Sequence, residues 1–164
     1  MDLSATSRGW TVRLILLTAI YISFTFYCDY FLLTKLFLFD TTGYSVVDKV
    51  SNTEYPSGSD PITIKGETDR VYNPPTGKIN VDVTVGVGEG KEMRVTAFGD
   101  VNDEEQTMSC VVWNPYIEKA KGMGDFGDDQ YDSMICVEPL LGGTSPMELQ
   151  GGKSARLIQN LEML

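Results

Sequence analysis

The stretch "KINVDVTVGV" (Lys78–Val87) decides the fold class of this sequence. A β-branched apolar residue stands at every second position from Ile79 to Val85, and Asn, Asp and Thr fill the positions between them. Successive side chains of a strand point to opposite faces, so this period of two predicts a β-strand with one buried face. A helix would need a period of about 3.6 residues instead.

Similar short runs occur along most of the remaining chain. The runs that also predict strands are "YSVVDKV", "DPITIKG", "EMRVTAF", "MSCVVW" and "SMICVEP". Turn-forming residues separate them in "YPSGSD" and "NPPTG", and "YIEKAKGMGDF" predicts one brief helical turn. "GVGEG" (Gly86–Gly90) is typical of a hairpin turn, because the Lys-Ser/Thr pair of a phosphate-binding loop does not follow it. Several strands at a spacing of about 8–12 residues predict an all-β antiparallel sandwich or barrel.

The composition excludes several classes of function. The chain has 164 residues, enough for one domain, and a formal net charge of -10, which argues against nucleic acid as a partner. It contains no histidine, so zinc sites with histidine ligands, Ser-His-Asp triads and Cys-His pairs are excluded. The acidic loop "DFGDDQYD" lacks the spacing of an EF-hand and is interpreted as a solvated loop.

The first forty residues differ from the rest of the chain. Two apolar runs, "LILLTAIYISFTFYC" and "FLLTKLFLF", are interrupted by Asp29 and Lys35, whereas a membrane-spanning helix needs about 20 apolar residues. A membrane anchor, a signal sequence and buried strands all remain open for this segment. We therefore divide the chain into a hydrophobic segment (residues 1–40) and an acidic β-domain (residues 41–164).

The cysteines indicate a reducing compartment. Cys28, Cys110 and Cys136 show no CxxC spacing, and the latter two lie in apolar runs, where a buried free thiol is common. The cytoplasm fits such thiols, with membrane anchoring through residues 10–39 as the alternative.

Two segments carry candidate site residues. "GETDRVY" places Glu67, Asp69 and Arg70 between two strand-like runs, where they could bind sugar hydroxyls and an anion or form a charged turn. In "MICVEP", strand geometry puts Glu138 on the same face as Met134 and Cys136. A carboxylate in an apolar strand is a useful proton acceptor near neutral pH, and the alternative is a strand-end glutamate that reaches water.

The run "VVWNPYIEKAKGMGDFGDDQYDSMICVEP" closely resembles the C-terminal signature of the glucose-6-phosphate 1-epimerases. These enzymes are the hexose-phosphate branch of the aldose 1-epimerase (galactose mutarotase-like) family. "GETDRVY" resembles the family's preceding sugar-contacting segment, and "LQGGKSARLIQNLEML" resembles its closing strand. The resemblance covers residues 43–164.

The resemblance implies a fold, a substrate class and two site residues. The fold is an antiparallel β-sandwich of the galactose mutarotase type, here incomplete at its N-terminal side. Glu138 occupies the position of the family's catalytic base, and Asp69 that of an aspartate that contacts the sugar. The implied substrates are hexose 6-phosphates, and neither a metal nor an organic cofactor is expected.

The sequence departs from the family pattern at the general acid. The resemblance implies a histidine, in a segment before the matched part, that protonates the ring oxygen of the sugar. This chain has no histidine. We therefore expect weak or no epimerase activity from it, and the alternative function is that of a non-catalytic carbohydrate-binding β-domain.

Overall fold

The computed structural model describes residues 12–17, 21–27, 37–38, 41–58, 62–75, 80–88, 91–142 and 154–164. These residues form twelve strands, an α-helix and one turn of 3-10 helix. The strands are β1 (Val12–Leu17), β2 (Tyr21–Tyr27), β3 (Phe37–Leu38), β4 (Ser45–Asp48), β5 (Thr53–Pro56), β6 (Thr68–Asn73), β7 (Asn80–Gly88), β8 (Lys91–Val101), β9 (Glu104–Glu105), β10 (Met108–Asn114), β11 (Met134–Leu141) and β12 (Ala155–Met163). Helix α1 spans Tyr116–Lys121, and the 3-10 helix spans Gln130–Ser133.

The strands form two antiparallel sheets. The first sheet has seven strands in the order β1-β2-β11-β10-β6-β4-β5. The second has the order β12-β8-β7-β3, with β9 beside β8. Strands β7 and β8 pair as neighbours in the chain, with Gly88 opposite Lys91, as the hairpin predicted at "GVGEG" requires, and residues 89–90 of the connection lie outside the described part.

A hydrophobic core lies between the two sheets. Val81, Val83 and Val85 of β7 are at most 1% exposed, whereas Asp82 between them is exposed, as the period of two predicts. The first sheet contributes Val112 and Val137, both fully buried. The predicted all-β sandwich of antiparallel strands is therefore confirmed.

Two local predictions are wrong. "DPITIKG" forms no strand in its described residues, although Ile62 and Ile64 are both buried in the core. Pro61 has no N–H to donate to a neighbouring strand. "GETDRVY" is not a turn, because its residues from Thr68 onward belong to β6 and pair with β10 on one side and β4 on the other.

Gly99 of β8 allows the two sheets to approach each other. A Cβ atom at this position would lie 2.6 Å from Leu141 Cδ1, 2.9 Å from the backbone oxygen of Arg156 and 3.1 Å from Met108 Sδ. These distances are shorter than ordinary contacts between non-bonded atoms. Glycine is therefore required where β8 passes the ends of β10 and β11.

The described part of the N-terminal segment consists of strands. Strand β2 pairs with β1 on one side and with β11 on the other. Among the described residues, no helix has both the length and the apolar character needed to cross a membrane. Residues 1–11, 18–20, 28–36 and 39–40 lie outside the described part, so the choice between anchor, signal and strands is not tested there.

Candidate active site

The strand register places both predicted site residues on one face of the seven-stranded sheet. One row across β6, β10 and β11 contains Asp69, Trp113 and Cys136, and the next contains Val71, Val111 and Glu138. We call this the outer face, because the alternate residues, such as Val112 and Val137, point into the core between the sheets. The outer face of these three strands is the candidate site.

Glu138 lies near the middle of the outer face and is half-buried. The thiol of Cys136, two residues earlier on the same strand, donates a hydrogen bond of 2.9 Å to Glu138 Oε1. This contact confirms that the two side chains share a face, as the strand geometry of "MICVEP" predicts. The neighbours of Glu138 on this face are Val111 on β10 and Leu140 on β11, and both are apolar.

The charge of Glu138 also affects a thiol on the other side of the sheet. Cys110 of β10 points into the core and is completely buried. Burial, followed by the negative charge of Glu138, raises the pKa of Cys110 to about 12. Cys110 is therefore a neutral thiol at physiological pH and has no role as a nucleophile.

Asp69 lies two strands from Glu138 and one row away. From ordinary strand spacings, their Cα atoms are about 12 Å apart. Lys49 Nζ is 3.8 Å from Asp69 Oδ1, and the two side chains are 53% and 24% exposed. Asp69 is thus held loosely at the surface, where it remains accessible to a ligand.

Arg70, the neighbour of Asp69, does not point toward the candidate site. Its side chain lies on the opposite face, where Arg70 Nε donates a 2.8 Å hydrogen bond to Asp48 Oδ2. Burial by itself raises the pKa of Asp48, but the hydrogen bond from Arg70 and those from Ser51 outweigh it and lower that pKa. Arg70 therefore orients the carboxylate of Asp48 and does not lie on the face of the candidate site.

Trp113 separates Asp69 from Cys136 within their row. It is partly buried and packs against the cluster of Val71, Val111 and Leu140. Lys119 Nζ lies 6.0 Å from the centre of the Trp113 ring and 3.0 Å from Glu67 Oε1. The candidate site therefore combines two carboxylates, an aromatic ring and two lysines that are each paired with an acid.

Two curated proteins are similar to this chain over most of its length. A protein of Cenchrus ciliaris named "Putative glucose-6-phosphate 1-epimerase" is 32% identical over 160 residues, which is 94% of this chain. A protein of Salmonella typhimurium with the same name is 31% identical over 117 residues, or 70% of this chain. This chain is similar to members of the glucose-6-phosphate 1-epimerase family. It spans 44% and 36% of the length of those two relatives.

A solved structure shares the fold of this chain. A crystal structure from Salmonella typhimurium, described as a "putative mutarotase", superposes with a TM-score of 0.59 at 19% sequence identity. The superposition covers 95% of this chain and 47% of the other. A similarity at this level of identity establishes the β-sandwich fold alone. No family model matches the chain.

Asn114 is a structural residue that the sequence analysis did not identify. Its Nδ2 donates hydrogen bonds of 2.7 Å to the backbone oxygens of both Tyr131 and Met134, and its Oδ1 accepts one of 2.8 Å from the Tyr116 N–H. Asn114 is 1% exposed. It fixes the connection that returns the chain to the strand carrying Glu138. The Asn-Pro pair at 114–115, a turn signal, could have identified it.

The described part of the chain shows no evident metal site. Within those residues, no group of three or more Cys, Asp or Glu side chains is placed to bind a metal ion. Asp125, Asp128 and Asp129 lie in the predicted acidic loop and are exposed.

Two lysines near the site were also not identified by the sequence analysis. Lys49, which follows β4, lies close to Asp69, and Lys119 of helix α1 lies close to Trp113.

Proposed function

We propose that this chain carries the base and the sugar-contacting part of an isomerase that interconverts the α and β anomers of hexose 6-phosphates. The observation that carries the proposal is the shared outer face of Glu138 and Asp69, within segments that match the family. Their separation of about 12 Å leaves room for one sugar ring between the two side chains. The names of the two curated relatives support glucose 6-phosphate as the substrate.

The proposed reaction uses Glu138 as the base. Its carboxylate accepts the proton of the anomeric hydroxyl while the bond between C1 and the ring oxygen breaks and the ring oxygen gains a proton. Rotation about C1–C2 then presents the other face of the aldehyde, and the ring closes with the proton transfers reversed. The Cys136 thiol, by its hydrogen bond to Oε1, positions the carboxylate. Asp69 accepts hydrogen bonds from sugar hydroxyls.

The second proton transfer, to the ring oxygen of the sugar, limits the activity expected of this chain. The sequence contains no histidine to protonate the ring oxygen. A positioned general acid contributes roughly 10²–10⁴-fold to a rate. We therefore propose that the purified 164-residue chain binds hexose 6-phosphate but has weak or no turnover. Such a chain would act as a carbohydrate-binding β-domain, the alternative function.

Exchange NMR of glucose 6-phosphate tests the two functions together. The samples are the purified chain, Glu138→Gln, Asp69→Asn and, as a matched control, Glu118→Gln, whose side chain is 85% exposed on α1. We expect chemical-shift changes on titration that Asp69→Asn weakens and Glu118→Gln leaves unchanged, with little acceleration of anomer exchange. Strong Glu138-dependent exchange would refute the weak-chain proposal and support full catalysis. No binding and no acceleration would refute both functions.

We further propose a cytoplasmic location. The support is that Cys110 is buried and forms no disulfide in the described part of the chain, as expected in a reducing compartment. Cell fractionation with a carbonate wash of the membranes tests this location. Retention of the chain in washed membranes would favour anchoring through residues 10–39 instead.

A further inference from the structure

Strand β12 is an open edge of the second sheet. It pairs with β8 on one side, and no described strand pairs with its other side. Natural edge strands are usually short or interrupted by proline or bulges, and they often carry several charged side chains. These features prevent pairing with strands of other molecules. In contrast, β12 has nine residues without proline or glycine and carries only the charges of Arg156 and Glu162. The described structure therefore leaves a regular strand edge available for pairing.

The backbone of β12 presents hydrogen-bonding groups to that edge. The Leu164 N–H donates to the Glu92 oxygen and the Asn102 N–H donates to the Ser154 oxygen, both at 2.9 Å, so the even-numbered residues face β8. In an antiparallel ladder the alternate residues face the opposite side. The residues that direct N–H and C=O groups to the open edge are Ala155, Leu157, Gln159, Leu161 and Met163.

Gln159, at the centre of β12, has an unsatisfied side chain. Its Oε1 and Nε2 are both buried, and neither has a hydrogen-bond partner in the described part of the chain. Buried amides without partners are rare in native proteins. The residue as a whole is only half-buried, so its side chain can turn toward the edge without breaking a hydrogen bond. A partner at that edge would satisfy the amide.

The sequence of β12 is complementary to itself in one antiparallel register. A two-fold axis through Gln159 places the two Gln159 side chains opposite each other, and each amide can donate to the oxygen of the other. The same axis places Leu157 opposite Leu161 of the second copy. It also places Arg156 opposite Glu162 of the second copy. A shift of the axis by one residue would oppose Arg156 to Asn160 or to Leu164 and lose this charge pair.

The charges next to β12 favour the same register. Arg156 Nη2 lies 2.8 Å from Asp100 Oδ2, and Arg156 is 58% exposed. Glu162 pairs in register with Arg94 of β8. Across the joined sheets, the row would contain Asp100, Arg156, Glu162 of the second copy and its Arg94. Negative and positive side chains alternate along this row, so no two neighbours in it carry the same charge.

The far end of β12 adds apolar surface. Leu161, Met163 and Leu164 are 36%, 48% and 58% exposed. Leu161 and Met163 point to the core side, because they pair with the buried Val95 and Met93. In the register centred on Gln159, they meet Leu157 and Ala155 of the second copy. Pairing would thus cover side chains that the first sheet leaves exposed.

We propose that β12 pairs antiparallel with β12 of a second copy of this chain, about a two-fold axis through Gln159, and joins the two second sheets into one. This dimer is independent of the proposed function, because β12 lies in the other sheet from Glu138 and Asp69. The occupant of the edge is a second copy because amide, charge and apolar pairs are all satisfied by the same register.

Disulfide trapping tests the register. In a Cys28→Ser background, Gln159→Cys places the new thiols on the axis, and Leu161→Cys serves as the matched control, because its two copies would be four residues apart in register. Mild oxidation should convert most of the Gln159→Cys chain, and little of the control, to a covalent dimer. Equal trapping of both variants would overturn the register.

Analytical ultracentrifugation of the wild-type chain tests the dimer without relying on a new cysteine. We expect a concentration-dependent dimer whose dissociation constant rises at least several-fold in Glu162→Gln and in 1 M NaCl, since both remove the charge pairs. The control Glu118→Gln should dimerise like the wild type. A wild-type chain that remains monomeric at 100 μM would overturn the proposal and would indicate that another polypeptide segment or nothing covers the edge.

Discussion

The two faces of the seven-stranded sheet are built from alternate residues of the same strands but have different tasks. On the inner face, Val112 and Val137 are fully buried and apolar. On the outer face, Asp69, Trp113 and Glu138 lie among a small apolar cluster and retain partial exposure. A slip of one residue would exchange the two sets. The packing of the inner face therefore fixes the positions of the site residues on the outer face.

Two ion pairs show the same contrast, one between β4 and β6 and the other between β6 and the residue that follows β4. Asp48 and Arg70 meet on the inner face at 2.8 Å, and their side chains are 10% and 29% exposed. In the next row, Lys49 and Asp69 meet on the outer face at 3.8 Å with greater exposure. The first pair closes the edge of the core, and the second leaves an aspartate accessible to a ligand.

The largest effect is expected from Gly99→Ala, which places a methyl group of the second sheet against side chains of the first. The new methyl group would meet the backbone oxygen of Arg156 at 2.9 Å as well as the side chain of Leu141. We expect a loss of about 1–3 kcal/mol in the free energy of unfolding, measured by urea denaturation. In the control Gly66→Ala, nothing lies within 4 Å of the added atom, and we expect a change of no more than about 1 kcal/mol. Equal losses in both variants would contradict the close approach of the sheets.

Substitution of Asp48 on the inner face and of Asp69 on the outer face compares what the two faces contribute to stability. Asp48→Asn removes the charge that Arg70 and the N–H groups of Val50 and Ser51 bind, so we expect a loss of about 1–3 kcal/mol. Asp69→Asn should cost at most about 1 kcal/mol, because its ion pair is long and exposed. Urea unfolding at pH 7 measures both losses. A larger loss for Asp69→Asn would mean that the outer face is structural.

The pH dependence of stability provides a finer test of the Asp48 pair. Folding lowers the pKa of Asp48 below its ordinary 3.8, so the stabilisation is present above that value and is lost as the pH falls through the folded pKa. The stability difference between wild type and Asp48→Asn should be constant from pH 7 to 5 and should shrink below about pH 4. A difference that grew on acidification would contradict the sign of this shift.

The smallest effect is expected from thiol reagents on Cys110. With a pKa of about 12 and complete burial, roughly one Cys110 thiol in ten thousand would be ionised at pH 8. Iodoacetamide followed by peptide mass spectrometry should find Cys110 unmodified in the folded chain and modified in urea. Rapid labelling without denaturant would show that the inner face opens.

The fold class could be predicted from the sequence, because the alternation of apolar and polar residues in β7 shows which side chains are buried. It also placed Cys136 and Glu138 on one face, since that relation depends only on their spacing within one strand. The positions of Asp69 and Arg70 could not be predicted, because the strand character of β6 depends on pairing with β4 and β10. The ion pairs of Lys49 and Arg70 likewise depend on register between segments that are some 20 residues apart. The role of Glu138 as a base came from family resemblance and remains a prediction.

The pairing of β2 with β11 has a consequence for synthesis of the protein. Tyr27 pairs with Met134, a residue made more than a hundred positions later. At a translation rate of about 5–20 residues per second, roughly 5–20 s pass between the appearance of these two strands. During that time β2 can pair with β1 but not with β11. The edge of β2 that pairs with β11 in the folded chain therefore lacks this partner until residues 134–140 have been synthesised.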